Sequence, residues 1–277
     1  MSVFPKSVVL LAALLLSAAA PAGPVLADFG AATCVPGAPI DNRHFPLGDR
    51  NVRVYVHEEE GEGERFETQV VGPGRILLGV QTTAVRDRGF EGGLLVEDTF
   101  DYYAQDTAGN VWYFGEDVTN YDYDEEGHLA GTDSHSSWLA GSNLANPGGE
   151  HASPGFIMPA DPTVGFEYFQ EFAEDDEAVD QARVFSIVPR VDTPAGSFTD
   201  VLQILETNPL EPEDFSFKYY APSFGLIVEE EGRVADLPAF EARFPLTSVL
   251  VVPEPPSVLL LAAGLAMLLA VFRGRGR

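Results

Sequence analysis

Residues 98–117 read DTFDYYAQ, then DTAGN, then VWYFGED. Two runs rich in aromatic residues flank five turn-forming residues, Asp106 to Asn110. That is the pattern of a β-hairpin. The alternation extends upstream. NVRVYVHEE at 51–59 puts Val52, Val54 and Val56 on one face, and 64–71, 75–85 and 92–105 continue the series. Downstream, 165–172, 182–191, 201–206, 214–221, 225–230 and 246–251 read as further strands, broken by Gly and Pro. No 3.6-residue apolar stripe of any length is present, and a short helix is expected only at 175–183. Residues 131–162 are rich in Gly, Ser, Asn and Pro and read as one long loop. The expected fold is all-β and mainly antiparallel, a single curved sheet or a half-barrel or barrel-like domain with few short helices, plus an N-terminal signal helix and a C-terminal transmembrane helix.

The 277 residues carry 16 Lys+Arg against 43 Asp+Glu, a formal charge of −27. A content of 45% hydrophobic and 11% aromatic residues is that of a globular chain, not an acidic disordered tail. The acid excess excludes a nucleic-acid partner, which needs a basic patch against phosphate. The single cysteine, Cys34, excludes an intrachain disulfide and a cysteine-cluster metal site.

The ends read as address labels. Residues 1–27 have the order of a secretory signal peptide: Lys6, an apolar run at 8–16, then Val25-Leu26-Ala27 before a cleavage expected ahead of Asp28. At the other end, Pro253-Glu254-Pro255 precedes sixteen uncharged residues, 257–272, and then Arg273, Arg275 and Arg277. As a helix those sixteen span about 24 Å against a hydrocarbon core of about 30 Å. The arginines mark the cytoplasmic side and leave the body of the chain outside.

The order Pro-Glu-Pro, short apolar helix, basic tail resembles the PEP-CTERM sorting signal over about 25 residues. The resemblance implies export by the secretion machinery of a Gram-negative bacterium and a transient inner-membrane anchor. It also implies processing by an exosortase-like enzyme, then release to the cell surface or an exopolysaccharide matrix. Three segments follow: signal peptide 1–27, exported β-rich domain 28–252, sorting signal 253–277. The exported domain keeps 12 basic and 42 acidic residues, and its one lysine is Lys218. Four pieces, at 96–117, 157–165, 191–204 and 217–230, resemble an uncharacterised family of exported bacterial proteins with "PAGTF" and "YYAPGVGLV" strand pairs. Ser197 stands for the usual Thr, and Ser223-Phe224 for Gly-Val. That resemblance implies a strongly curved antiparallel sheet and brings no activity.

Candidate chemistry is sparse. Asp122, Asp124 and Glu126, with Gly127 at the sixth position and Asp133 at the twelfth, match the spacing of a calcium loop. The last ligand is Asp rather than Glu, and the flanks read as strands. His128, His135 and His151 are too loosely spaced for zinc. Ser134 and His135 are adjacent, so in an extended chain they face apart and make no nucleophile–base pair. Glu116-Asp117 and Glu174-Asp175-Asp176 read as solvated acids rather than a catalytic pair. Tyr102, Tyr103, Trp112, Tyr113, Phe114, Tyr219 and Tyr220 read as core and sheet wall, or as a ligand groove. The expectation is a non-enzymatic surface or matrix protein, ligand-binding or structural. The alternative is an extracellular hydrolase acting on polysaccharide or lipid.

Overall fold

The computed structural model describes residues 23–57 and 63–253. The expected signal helix and C-terminal membrane helix, with Glu254, Pro255 and the terminal arginines, lie outside the described residues. Among the described residues no helix is long and apolar enough to cross a membrane.

Among the described residues fifteen strands form one antiparallel sheet. The first five are β1 (Val52–His57), β2 (Glu64–Leu77), β3 (Val80–Glu91), β4 (Leu94–Gln105) and β5 (Val111–Tyr123). Short strands follow: β6 (Leu129–Asp133), β7 (Trp138–Leu139), β8 (Ser153–Met158), β9 (Glu167–Phe169) and β10 (Glu171–Phe172). The last group is β11 (Gln181–Thr193), β12 (Gly196–Asn208), β13 (Glu211–Ala221), β14 (Gly225–Arg233) and β15 (Ala242–Leu250). The expected hairpin is β4–β5, with Asp106 as its hinge. Its carboxylate accepts from the backbone N–H of Ala108 and Asn110, both at 2.9 Å, and from the Trp112 indole at 2.8 Å.

The ladder runs β10-β8-β5-β4-β3-β2-β1-β15-β14-β13-β12-β11-β9, with β6 and β7 also paired to β5. Its two ends, β9 and β10, are consecutive in the chain and separated only by Gln170. One short segment therefore serves both edges. No ladder joins β9 to β10, so the sheet curls round without closing as a barrel. Register shifts at Val70/Gly72, Asp101/Tyr103, Val184/Ser186 and Tyr219/Tyr220 supply the curl, because each bulge bends its strand and adds twist.

Two long hairpins fold back over the convex face. Beyond Gly72, β2–β3 crosses the outside of β4 and β5. Arg75 reaches Asp117 at 2.6 Å and Leu78 packs over Gly141. The end of β11–β12 does the same over β13–β15. Val191 and Val201 join Ala221, Ile227, Val228 and Leu246 in one apolar cluster there. A larger cluster, built on Trp112, Phe114, Trp138, Met158 and Tyr168, packs the region of β4, β5 and β8.

Two expectations change. The helix expected at 175–183 is a single 3-10 turn, Glu174–Asp176, after which Gln181 starts β11. The Asp176 carboxylate takes the backbone N–H of Ala145 at 2.6 Å and Leu144 at 3.2 Å, and the loop contact outweighs weak helix propensity. The loop expected at 131–162 contains β7 and β8. Pro154 and Gly155 hide the strand signal of β8, yet Met158, Phe156 and Gly155 pair with Val111, Trp112 and Tyr113 of β5.

Candidate functional site

The concave face of the curled sheet is not filled. Three cavities of about 430, 460 and 240 Å³ open along it, and Lys218 lines all three. They form one cleft, with β3, β4 and β5 as one wall and β12, β13 and β14 as the other.

Strand alternation decides what enters it. On the first wall Asp87 of β3 lies opposite Thr68 and Thr99, and Asp101 of β4 lies opposite Glu116 of β5. Asp87, Asp101, Glu116 and Tyr103 all line the smallest chamber. On the second wall Lys218 of β13 stands between Ile204 and Glu229. Its Nζ lies 2.8 Å from Glu206 and 3.6 Å from Glu229. Glu171 and Asp180, from the segment that joins the sheet's edges, complete the chamber. The Tyr113 hydroxyl donates to Asp101 at 2.7 Å, and the Gln170 amide donates to Glu206 at 2.8 Å. Around the wider mouth stand Tyr55, Phe66, Tyr220, Phe224 and Phe244.

Acids on the two faces differ in their partners. On the convex face Asp98 is held by Arg86 at 2.5 Å and Asp117 by Arg75 at 2.6 Å. In the smallest chamber Lys218 is the single cation among the lining residues. Desolvation is then the leading cause of every shift. It pushes the Asp87 carboxyl up to about 8, with Asp101 adding repulsion, and the Asp101 carboxyl up to about 7, with Glu116 adding. Burial raises Glu229 to about 7, against the pull of Lys218, and Asp180 to about 6, with Glu206 adding. Glu116 and Glu171 are pushed well above the usual carboxylate range by burial, then by Glu171 on the former and Asp180 on the latter. Burial also works against the charge on Lys218, but Glu206 and Glu229 overcome it and hold the ammonium firmly protonated.

The sequence reading placed these residues differently. Glu116 and Asp117 are not a solvated pair: the first faces the cleft and the second grips Arg75 outside. Of the aromatic set, Tyr103, Tyr113 and Tyr220 face the cleft, with Tyr103 and Tyr113 stacked at 5.0 Å. Trp112 and Phe114 pack instead on Phe29, each at 5.1 Å. Asp87, Asp101, Glu171, Asp180, Glu206 and Lys218 were not singled out as site residues. The available signal was an acid in the inward phase of an apolar strand, as in DTFDYYA, and a lysine alone among 42 acids.

The four acids of the calcium-like spacing are all exposed, but only Asp124 and Glu126 lie at the β5–β6 turn; Asp122 is in β5 and Asp133 ends β6, opposite Asn120. The turn brings ligand atoms of Asp124, Glu126 and His128 within 4.8 Å of one another. Asp124 already accepts the backbone N–H of His128 at 2.8 Å and Glu126 at 3.1 Å, and Asp133 holds Asn120 at 2.9 Å.

No protein-family model matches the chain, and no curated protein does. Two solved structures are similar to it. One, from Bacteroides fragilis NCTC 9343, is provisionally described as an exported protein with a YmcC-like fold. It shares 11% identity and a TM-score of 0.39 over 75% of this chain and 99% of its own. The other, provisionally described as a lipoprotein of Parabacteroides distasonis ATCC 8503, shares 13% identity and a TM-score of 0.39 over 75% and 98%.

Proposed function

We propose that this is an exported protein that binds a ligand in the concave cleft of its sheet. One observation carries the reading: the curled sheet keeps an open, polar-lined hollow where a purely structural domain would pack a solid core. The volume suits a small molecule or a few units of a polymer. Gly89, opposite Phe66 on the wall, keeps the mouth clear, and a Cβ there would meet only ordinary contacts at 3.5 Å or more. Gly89→Leu should therefore plug the mouth without unfolding the sheet. The test is a thermal-shift panel of neutral, amino and acidic oligosaccharides and fatty acids, with native protein and Gly89→Leu. A ligand at ten times its Kd should stabilise the native protein by about 1.4 kcal/mol and leave the plugged variant unmoved. A panel with no effect on either protein would overturn the reading.

The hydrolase alternative has a specific support, the buried cross-strand carboxylates Asp101 and Glu116. It requires oligosaccharide cleavage that Glu116→Gln abolishes, whereas binding alone yields no product.

Delivery belongs to the same proposal. The secretory leader takes the chain across the inner membrane. The tail from Pro253 to Arg277 holds it there for an exosortase-like enzyme, before release to the surface or its polysaccharide matrix. Weak calcium binding at the β5–β6 turn is proposed alongside, at about 10⁻⁴–10⁻³ M as in extracellular modules. Its support is the convergence of Asp124 and Glu126. Calcium should then raise Tm more than magnesium at equal ionic strength, and Asp122→Asn/Asp124→Asn should remove the difference.

A further inference from the structure

The cleft carries more carboxyl groups than its own cation can pair with. Lys218 is engaged by Glu206 and Glu229, which leaves Asp87, Asp101, Glu116 and Glu171 without a cationic partner around the chamber. Asp87 Oδ1 is buried with no hydrogen-bond partner. An orphaned buried carboxylate oxygen is costly, and facing a cavity it marks where a ligand's donor belongs. A single metal ion does not fit that need. Among the described residues, only the exposed Asp124, Glu126 and His128 bring three ligand atoms within 4.8 Å. No three of the cleft acids converge that closely; they stand on four separate strands, β3, β4, β5 and β10, where separate donors of one organic molecule could meet them.

We propose that the cleft binds an organic cation carrying two or more ammonium groups. Its ammonium groups sit among Asp87, Asp101, Glu116 and Glu171, and its carbon skeleton lies along Tyr103 and Phe66. This rests on the reading of the cleft as a ligand site. Two sources share the chemistry, a linear polyamine and an amino-sugar oligomer.

The test is calorimetric titration of the full-length protein in detergent micelles, at fixed ionic strength. Spermidine and a glucosamine tetramer are the two amine arms. The N-acetylated tetramer and calcium chloride are the controls. At least one amine should bind, and whichever does identifies the source. Glu116→Gln and, independently, Asp87→Asn should each weaken it roughly tenfold, about 1.4 kcal/mol. Glu150→Gln, an exposed acid outside the cleft, should change nothing. Equal binding of the N-acetylated tetramer, or binding of calcium at the cleft in place of the amines, overturns this inference and leaves the ligand-site reading standing. Amine binding that survives both cleft substitutions overturns it as mere surface attraction. If the amines fail and the wider panel fails too, both fall.

A different observation bears on the leader. Val25 is already part of the fold. Its N–H donates to the Glu167 carbonyl at 3.0 Å, and it accepts from the Phe169 N–H at 3.1 Å. Ala27 packs on the main apolar cluster. A cut ahead of Asp28 would strip Val25 from β9, at the seam where the sheet's edges meet, and Ala27 from the cluster. Ala20-Pro21-Ala22 offers small residues at the −3 and −1 positions five residues earlier. The geometry points to hydrolysis of the Ala22–Gly23 peptide bond by a signal peptidase. Water adds across the bond, leaving the Ala22 carboxylate on the leader and a free Gly23 amine on the mature chain. Mass analysis of the protein from a Gram-negative envelope should find Gly23 at the N-terminus, and Ala22→Leu should abolish that product. An N-terminus at Asp28, or an uncut leader, would overturn this.

Discussion

Asp87 and Asp101 make stability depend on pH in an unusual direction. Both have folded-state proton affinities raised, to about 8 and about 7, above an unfolded value near 4. Between those values the folded chain holds more protons than the unfolded one, so stability falls as pH rises. Their contribution is complete below about pH 4 and lost as pH passes through 7 to 8. Each pH unit in that window costs up to about 1.4 kcal/mol per titrating group, and each kcal/mol is worth about 2–4 °C in Tm at this size. Melting curves should show Tm falling from pH 5 to pH 8.5. Asp87→Asn, which stays neutral, should lessen the fall throughout the range and match the native protein only below about pH 4. A Tm that climbs with pH would show these acids to be solvated. At the same scale, burial, then Asp106, raises the Cys34 thiol to about 11. Iodoacetamide at pH 8 should therefore label Cys34 far more slowly than it labels free cysteine, because the thiolate is the nucleophile. A rate equal to that of free cysteine would place Cys34 in open solvent.

Among the elements, β8 is where the seam of the sheet is decided. A Cβ on Gly155 would lie 2.3 Å from the Phe169 carbonyl oxygen and 2.7 Å from that of Gln170. Backbone cannot yield as a side-chain tip can, so Gly155→Ala should destabilise by roughly 2–4 kcal/mol in urea unfolding. Gly148, with open space around its position, is the control and should tolerate Ala within about 0.5 kcal/mol. Equal effects at the two sites would mean the seam is loose. The strands β1 to β5 and β11 to β15 were largely legible because each alternates over enough residues, or carries enough β-branched and aromatic side chains, to show a period of two, although the strand expected at 75–85 crosses the turn at Leu78-Gly79 between β2 and β3. β7 is two residues long, too short for any period, and the strand expected at 165–172 is divided at Gln170 into β9 and β10. The turn at Glu174–Asp176 was misread as the start of a helix because its acids look like a helical first turn. What they do, anchoring the 142–146 loop, depends on residues about thirty positions away.

For the whole molecule the expectations are sheet and export. The far-ultraviolet circular dichroism of the protein should be dominated by sheet, and deletion of 257–277 should release soluble protein into the periplasm or medium. A truncated chain that stays on the membrane would put the anchor elsewhere. The all-β class, the acid excess and the chief hairpin were determined by the sequence alone. Each depends on composition or on neighbours within about twenty residues, where covalent order already dictates what lies beside what. The cleft was not, because its walls come from strands about seventy or more residues apart. Glu116 and Asp117 look alike in the chain. Only the curl of the sheet, set by its bulges, sends one to an arginine in water and the other into a chamber with a single lysine. Burial and the absence of a cationic partner turn an ordinary acid into a site, and both are properties of the curled sheet.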